Sequence, residues 1–184
     1  MNAREIAVHA TRISGMQKLE ELCSLISYLA FYPPTRIVEL GSARGGTFYV
    51  WCEIATSYAT IVSVDFAHTE EDIERMASCA GPHQRAHFVT ADTHDPNTRR
   101  QVEDLVGYAD LLHIDAGHAE AEVRADWEDY SPLLCPGGHA VFHDISDGGP
   151  IGELWGELAK RYWNIKFIES NGNDGWGGIG VLRV

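Results

Sequence analysis

The sequence is short of positive charge: 14 Lys and Arg stand against 27 Asp and Glu in 184 residues, a formal net charge of −13. An acidic surface repels phosphate backbones, and no Lys/Arg run offsets it locally, so no nucleic-acid partner is expected. Cysteine is scarce as well. Cys23, Cys52, Cys79 and Cys135 are widely spaced and form no Cys-x-x-Cys pair. That excludes a disulfide-stapled scaffold and reads as buried free thiols in a reducing compartment. Long apolar runs are absent. No segment approaches the ~18 uninterrupted apolar residues of a membrane span, and no basic stretch followed by an apolar one opens the chain. The expectation is a cytoplasmic protein with no membrane partner. Repeats and low-complexity tracts are also missing. With 45% hydrophobic and 22% charged residues, the chain is expected to be one globular domain over residues 1–184.

What is present is an alternation. Leu19, Leu22, Ile26 and Leu29 fall on one helical face, which predicts a helix over about 14–31, ended by Pro33-Pro34. Residues 1–13 read as loosely held. Short apolar strands follow at Arg36–Leu40, Thr60–Asp65, His87–Thr90, Leu111–Ile114 and Ala140–His143. Helices are expected between them over 46–57, 70–79, 97–106, 118–134 and 151–163. This rhythm predicts a parallel sheet with helices on both faces. The ending departs from it: Trp163–Glu169 and Ile179–Val184 read as strands joined by the Gly/Asn-rich segment 171–178, with no helix between. Such a pair must be antiparallel.

The first strand runs into Glu39-Leu40-Gly41-Ser42-Ala43-Arg44-Gly45-Gly46. Glycines at a strand-to-helix turn let a ligand approach the backbone. The pattern is Glu-x-Gly-x-x-x-Gly, not Gly-x-Gly-x-x-Gly, since Ala43 holds the second glycine's place. Glu39 points to a ligand carrying an amine instead of a pyrophosphate. Asp65 ends the second strand, where a carboxylate can accept from both hydroxyls of a ribose. Asp92, after the third, is placed for an adenine amino group. Acids at the ends of consecutive strands imply one crevice.

On these residues the chain resembles the class I S-adenosylmethionine (SAM) dependent methyltransferases. Within them it is most similar to the branch of small-molecule O-methyltransferases, many metal-dependent, and cephalosporin-hydroxylase-like proteins. The resemblance runs from about Thr35 to Val184. Glu39–Gly46 matches the family's first SAM motif, Asp65 its ribose-binding acid and Asp92 its acid near adenine. It implies an α/β, Rossmann-like sandwich with a mostly parallel seven-stranded sheet and a C-terminal antiparallel hairpin. SAM would be held by Glu39, Gly41, Ser42, Gly45, Gly46, Asp65, Asp92 and Asp115.

A second cluster sits at the ends of the fourth and fifth strands, in Asp115-Ala116-Gly117-His118 and His143-Asp144. Neighbouring carboxylates repel unless a proton or cation intervenes. Asp115, His143 and Asp144 are therefore a candidate divalent-cation site, for Mg²⁺ or, with a histidine ligand, a transition metal. The resembling branch carries an acidic or amide pair where this chain has His143-Asp144. In the other reading, Asp115 meets the SAM amino group and His143 is a wall residue. His118, expected at a helix N-terminus, is the candidate general base, with Asp115 beside it. Trp155 and Trp176 are candidates for the substrate wall. The chemistry is methyl transfer to a small-molecule acceptor, with a hydroxyl oxygen as nucleophile. A hydroxylase-like enzyme on the same scaffold and a non-catalytic SAM-binding module remain alternatives; a nicotinamide-dependent reductase is disfavoured by Glu39 and the hairpin. With no lid domain in sight, a homo-oligomer is one way to complete the pocket.

Overall fold

A computed structural model describes residues 1–146, 148–169 and 176–184. Helices α1 (Ala3–Ile13) and α2 (Leu19–Leu29) precede β1 (Arg36–Leu40). Then come α3 (Gly46–Ile54), β2 (Thr60–Val64), α4 (Glu70–Cys79), β3 (Arg85–Val89), α5 (Pro96–Val106) and β4 (Ala109–Ile114). The chain closes with α6 (Glu120–Tyr130), a 3-10 turn at Ser131–Leu133, β5 (Leu134–Phe142), α7 (Pro150–Leu158), β6 (Trp163–Phe167) and β7 (Ile179–Arg183).

The seven strands form one sheet in the order β3-β2-β1-β4-β5-β7-β6. β1 to β5 pair in parallel, and β7 runs antiparallel to both β5 and β6. The alternation and the terminal hairpin are as the sequence implies. Strand order reverses between β1 and β4, which opens a crevice at the strands' carboxyl ends.

Two cores sandwich the sheet. Ile37, Ile61, Leu111 and Val141 face α1, α2, α3 and Met76 of α4. Val38, Val62, Leu112, Ala140 and Leu182 face α5, α6 and α7. The period of two carries polar residues onto the first face near the carboxyl ends: Ser63, Glu39, His113 and His143, all buried. Those four lie beside the crevice because of this alternation.

The amino-terminal helix needs correcting. Residues 1–13 are not loose: Ala3–Ile13 is helical, closed by a capping box in which Asn2 and Glu5 exchange hydrogen bonds with each other's backbone N–H. Its buried face is Ile6, Ala7 and Ala10, weak in hydrophobicity but small enough to lie close to its neighbours. The helix expected over 14–31 is shorter, and residues 14–18 form a connector. The helix expected over 118–134 starts two residues later and ends at Tyr130. All four cysteines are free thiols. No helix among the described residues is long and apolar enough to cross a membrane.

Candidate functional site

A cavity of about 1060 Å³ opens at the carboxyl ends of the parallel strands. Gly41, Ser42, Asp65, Asp92, Asp115, His118, His143 and Asp144 line it; Glu39, Gly45 and Gly46 do not.

The glycine turn explains this split. Gly41 has φ +81°, and a Cβ there would lie 2.2 Å from the Asp115 carbonyl oxygen. It is small because the β1 and β4 loops touch. Gly45, at φ +84°, faces Met76, whose Cγ would be 2.4 Å from an added Cβ. An added Cβ on Gly46 would sit 3.0 Å from the Ala10 carbonyl oxygen. Gly45 and Gly46 thus seat α3 against α4 and α1. Ala43 does take the left-handed φ, 46°, that a glycine would favour. Asp65 holds it there: its Oδ2 accepts from the Ser42 and Ala43 N–H groups at 3.1 and 2.9 Å, and its Oδ1 from Ala67 N–H at 2.8 Å.

Glu39 stands behind the cavity wall, fully buried. Its Oε1 accepts from Thr47 Oγ1 at 2.6 Å and Trp51 Nε1 at 2.7 Å, and its Oε2 from Ser63 Oγ at 2.9 Å. Burial pushes its pKa up to about 7, against the pull of those three donors. The neighbouring His113 is pushed by burial down to about 4 and stays neutral. A carboxyl whose folded pKa is raised keeps its proton where the unfolded chain has lost it. That stability is present below pH 4.5 and is lost as pH rises through about 7. Glu39→Gln keeps the shape and can still accept from Thr47 and Trp51 while donating to Ser63. In urea unfolding, the variant is expected to gain on the wild type by about 3 kcal/mol between pH 4.5 and 8. A gap that does not change with pH would contradict this.

At the other side of the crevice, His143 is buried and its Nδ1 lies 3.4 Å from Asp115 Oδ1 and 3.4 Å from Asp144 Oδ1. Burial opposes its charge, but the two carboxylates outweigh that and push it up to about 10. The two acids thus favour the charged form of His143, with the ring nitrogen that faces them lying between both. Asp144 is itself unusual: it has φ +60°, accepts from Gly177 N–H at 2.8 Å, and is held below its ordinary pKa by His143 despite burial. Asp115, His143 and Asp144, the trio expected from the sequence, lie together, with His143 Nδ1 turned towards both acids. The ligand atoms that converge, all within 4.8 Å of one another, belong to Asp115, His118 and Asp144. His118 is just over half exposed, precedes the Ala119 cap of α6, and places Nδ1 3.9 Å from Asp144 Oδ2. It lies one residue before the cap, outside α6, and not at the helix N-terminus where the sequence placed it.

Sequence reasoning missed the connector between α1 and α2. Ser14, Gly15, Met16 and Gln17 line the cavity, and Gln17 Nε2 donates to Asp115 Oδ2 at 3.2 Å. That contact joins residues 98 positions apart, and no local pattern announces it. His94 also lines the cavity. Trp176 is in the wall, with Lys18 over its ring at 4.8 Å. Trp155 is not; it packs into the second core, where only a glycine at 180 leaves it room.

Comparison with known proteins agrees with this geometry. A family model described as a methyltransferase domain matches residues 38–145, more than half the chain. An uncharacterized protein of Sinorhizobium fredii, y4gI, is 27% identical over 154 residues, covering 76% of this chain and 16% of that protein. The 8-demethyl-8-alpha-L-rhamnosyl tetracenomycin-C 2'-O-methyltransferase of Streptomyces olivaceus is 28% identical over 116 residues, 59% of this chain and 28% of that one. The chain thus spans less than a third of the length of either relative. Among solved structures, the MycE methyltransferase of the mycinamycin biosynthetic pathway, in complex with Mg and S-adenosylhomocysteine (SAH), superposes with a TM-score of 0.71 at 14% identity, over 99% of this chain and 53% of that one. The chain belongs to the methyltransferase-domain family and has the fold of the class I SAM-dependent methyltransferases.

Proposed function

We propose that this chain moves the methyl group of SAM to a hydroxyl oxygen of a small molecule. The observation that carries the reading is the single crevice at the sheet's switch point, where Gly41, Asp65, Asp92 and Asp115 meet beside His118 and Asp144. At about 1060 Å³ it is at the large end for ligand sites, with room for a cofactor and an acceptor together. Asp65 would receive the ribose hydroxyls, Asp92 the adenine amino group and Asp115 the amino group of the methionine part. Glu39 acts from behind, by holding α3 to β1. The oxygen acceptor is drawn from the rhamnosyl 2'-O-methyltransferase of Streptomyces olivaceus; a sugar-ring hydroxyl is the acceptor class to test first.

Bound SAM supplies an activated methyl on a sulfonium: the oxygen forms a bond to carbon as the carbon–sulfur bond breaks, leaving SAH. The protein has to position the oxygen in line, keep water out and take one proton. His118 takes it, with Asp144 as its carboxylate neighbour. Asp144 is held in turn by His143 and the Gly177 N–H, on a backbone conformation that L residues seldom adopt.

A metal-assisted reading has one observation in its favour. Asp115, His118 and Asp144 offer two oxygens and a nitrogen close enough to fit a divalent cation, and the similar MycE structure contains Mg. Those three residues would hold the ion, which would acidify the acceptor hydroxyl. His143, lying 3.4 Å from both carboxylates, offers another way to relieve their repulsion.

The cofactor step is tested by calorimetry with SAH. Micromolar binding is expected. Asp65→Ala should weaken it about ten- to a hundredfold, roughly 1.5–3 kcal/mol, because it removes a charged acceptor and frees the glycine turn. Tight NADH binding with none for SAH would sink the reading.

A further inference from the structure

We infer that His94 is a positioning residue of the cofactor site: its ring, anchored on the buried Asp126, fixes the Asp92 carboxylate that reads the exocyclic amino group of adenine. The inference rests on the proposal that the cavity takes SAM.

Asp92 lies in the loop after β3, and its side chain is 69% exposed. By itself it would be a free acid on a loop, a poor reader of one amino group. It is not free. Its Oδ1 accepts from the backbone N–H of His94 at 2.9 Å, and His94 Nδ1 lies 3.1 Å from the same oxygen. Across the ring, Nε2 is 3.3 Å from Asp126 Oδ1 and 3.1 Å from the Glu122 carbonyl oxygen, both on α6. Tyr130, also on α6, donates its hydroxyl to the Thr93 carbonyl at 2.9 Å. The residues flanking Asp92 are thus tied to α6 at two points. Asp92 Oδ2 accepts no hydrogen bond from any described residue, and Asp92 and His94 both line the cavity.

Asp126 is the second, independent observation. It is fully buried, and neither carboxylate oxygen has a close, well-aligned hydrogen-bond donor among the described residues. A carboxylate kept dry in that state is costly unless a cation faces it. Burial pushes its pKa up, with Thr93, His94 and the Gly117 N–H opposing. The His94 ring answers it. The charged groups that act on this ring are Asp126 and Glu122 on α6 and Asp92 on the loop. Arg99 on α5 is occupied with Glu103 and the Asp129 carbonyl. The surroundings are acidic, so although burial pulls His94 down, the Glu122 carbonyl, Asp126 and Asp92 leave it above an ordinary histidine. Protonated, the ring carries a hydrogen on each nitrogen, one facing Asp92 and one facing the Glu122 carbonyl with Asp126 beside it, and its charge serves both carboxylates. Neutral, it can donate to one only, and Asp92 loses its orientation or Asp126 its partner. Grip on the adenine amino group is therefore full at low pH and lost as pH rises through the His94 pKa.

The test uses calorimetry on the whole chain with two ligands, SAH and S-inosylhomocysteine, in which an oxo group replaces the amino group. At pH 6 the wild type should prefer SAH by about tenfold or more, as a site built for an N–H does, and the preference should shrink by pH 9. His94→Ala should bind both ligands alike at either pH, and should melt below wild type because it leaves the buried Asp126 without its cation, so binding is read well below that melt. His94→Gln keeps a donor towards Asp92 but cannot titrate, so it should retain part of the preference and lose its pH dependence. If His94→Ala keeps both the preference and the pH profile, His94 does not position Asp92 and the inference is overturned. A wild type that binds neither ligand at any pH would instead remove the cofactor reading, and this inference with it.

Discussion

Gly41→Val is expected to abolish the fold instead of merely weakening a ligand. The residue has φ +81°, which already costs an L side chain about 1–2 kcal/mol. The larger cost is steric. The new Cβ would lie 2.2 Å from the Asp115 carbonyl oxygen, 2.6 Å from its carbon and 2.8 Å from Ala116 Cα. All three are backbone atoms, and they cannot retreat freely. Asp115 N–H donates to the Leu40 carbonyl at 2.9 Å, and Gly41 N–H donates to that of Val64 at 2.9 Å. Moving either strand end breaks the ladder on which the crevice depends. The combined loss should exceed about 4 kcal/mol, a large share of a domain's typical 5–15 kcal/mol. Soluble yield and a thermal melt check it, with Gly156→Ala as the control. Gly156 lies inside α7 with no atom within 4 Å of an added Cβ, so alanine there should be neutral or stabilising by about 0.5–1 kcal/mol. A Gly41→Val protein melting within a few degrees of wild type would refute the packing argument.

That glycine shows how far the sequence could be read. The strand–helix alternation, the terminal hairpin and the convergence of acids at strand ends were legible, because each follows from a local period or a chain-order rule. The reasons for the individual glycines were not. Gly41, Gly45 and Gly46 look alike in a motif, yet one lets two loops meet at the cavity while the others seat α3 on Met76 and Ala10. Nor does a motif say on which side of a wall a side chain ends. Glu39 satisfies three donors from α3 and β2 that a linear reading cannot bring to it. Helix α1 was passed over because its buried face is rich in alanine, although Asn2 and Glu5 at capping-box spacing gave a usable signal. His143 was hardest. Its residue type suits a ligand, a cation or a wall, and the choice depends on two carboxylates each 3.4 Å from one nitrogen.

From that geometry comes the last expectation: turnover survives exhaustive chelation, while His118→Ala loses it by about 10²–10⁴-fold. The sequence argument for a cation was the repulsion between Asp115 and Asp144. In the folded chain His143 lies between them and the two carboxylates favour its charged form, so the protein offers a countercharge of its own. What remains is the acceptor's proton, and among the residues gathered at that end of the cavity His118 has an exposed ring with a carboxylate 3.9 Å away. His118→Ala should leave SAH affinity within about twofold, since the ring's role lies on the acceptor side, and this separates a catalytic loss from a binding loss. Asp144→Asn should lower turnover less, by about 10-fold, because it weakens the support of the base without removing it. The decisive measurement is the rate after EDTA treatment and after add-back of Mg²⁺, Mn²⁺ or Zn²⁺, using a glycoside with a free ring hydroxyl as acceptor. Activity lost in EDTA and restored by one ion would move His118 from base to ligand, beside Asp115 and Asp144, and would leave His143 as the charge that keeps those two acids in place until the metal arrives.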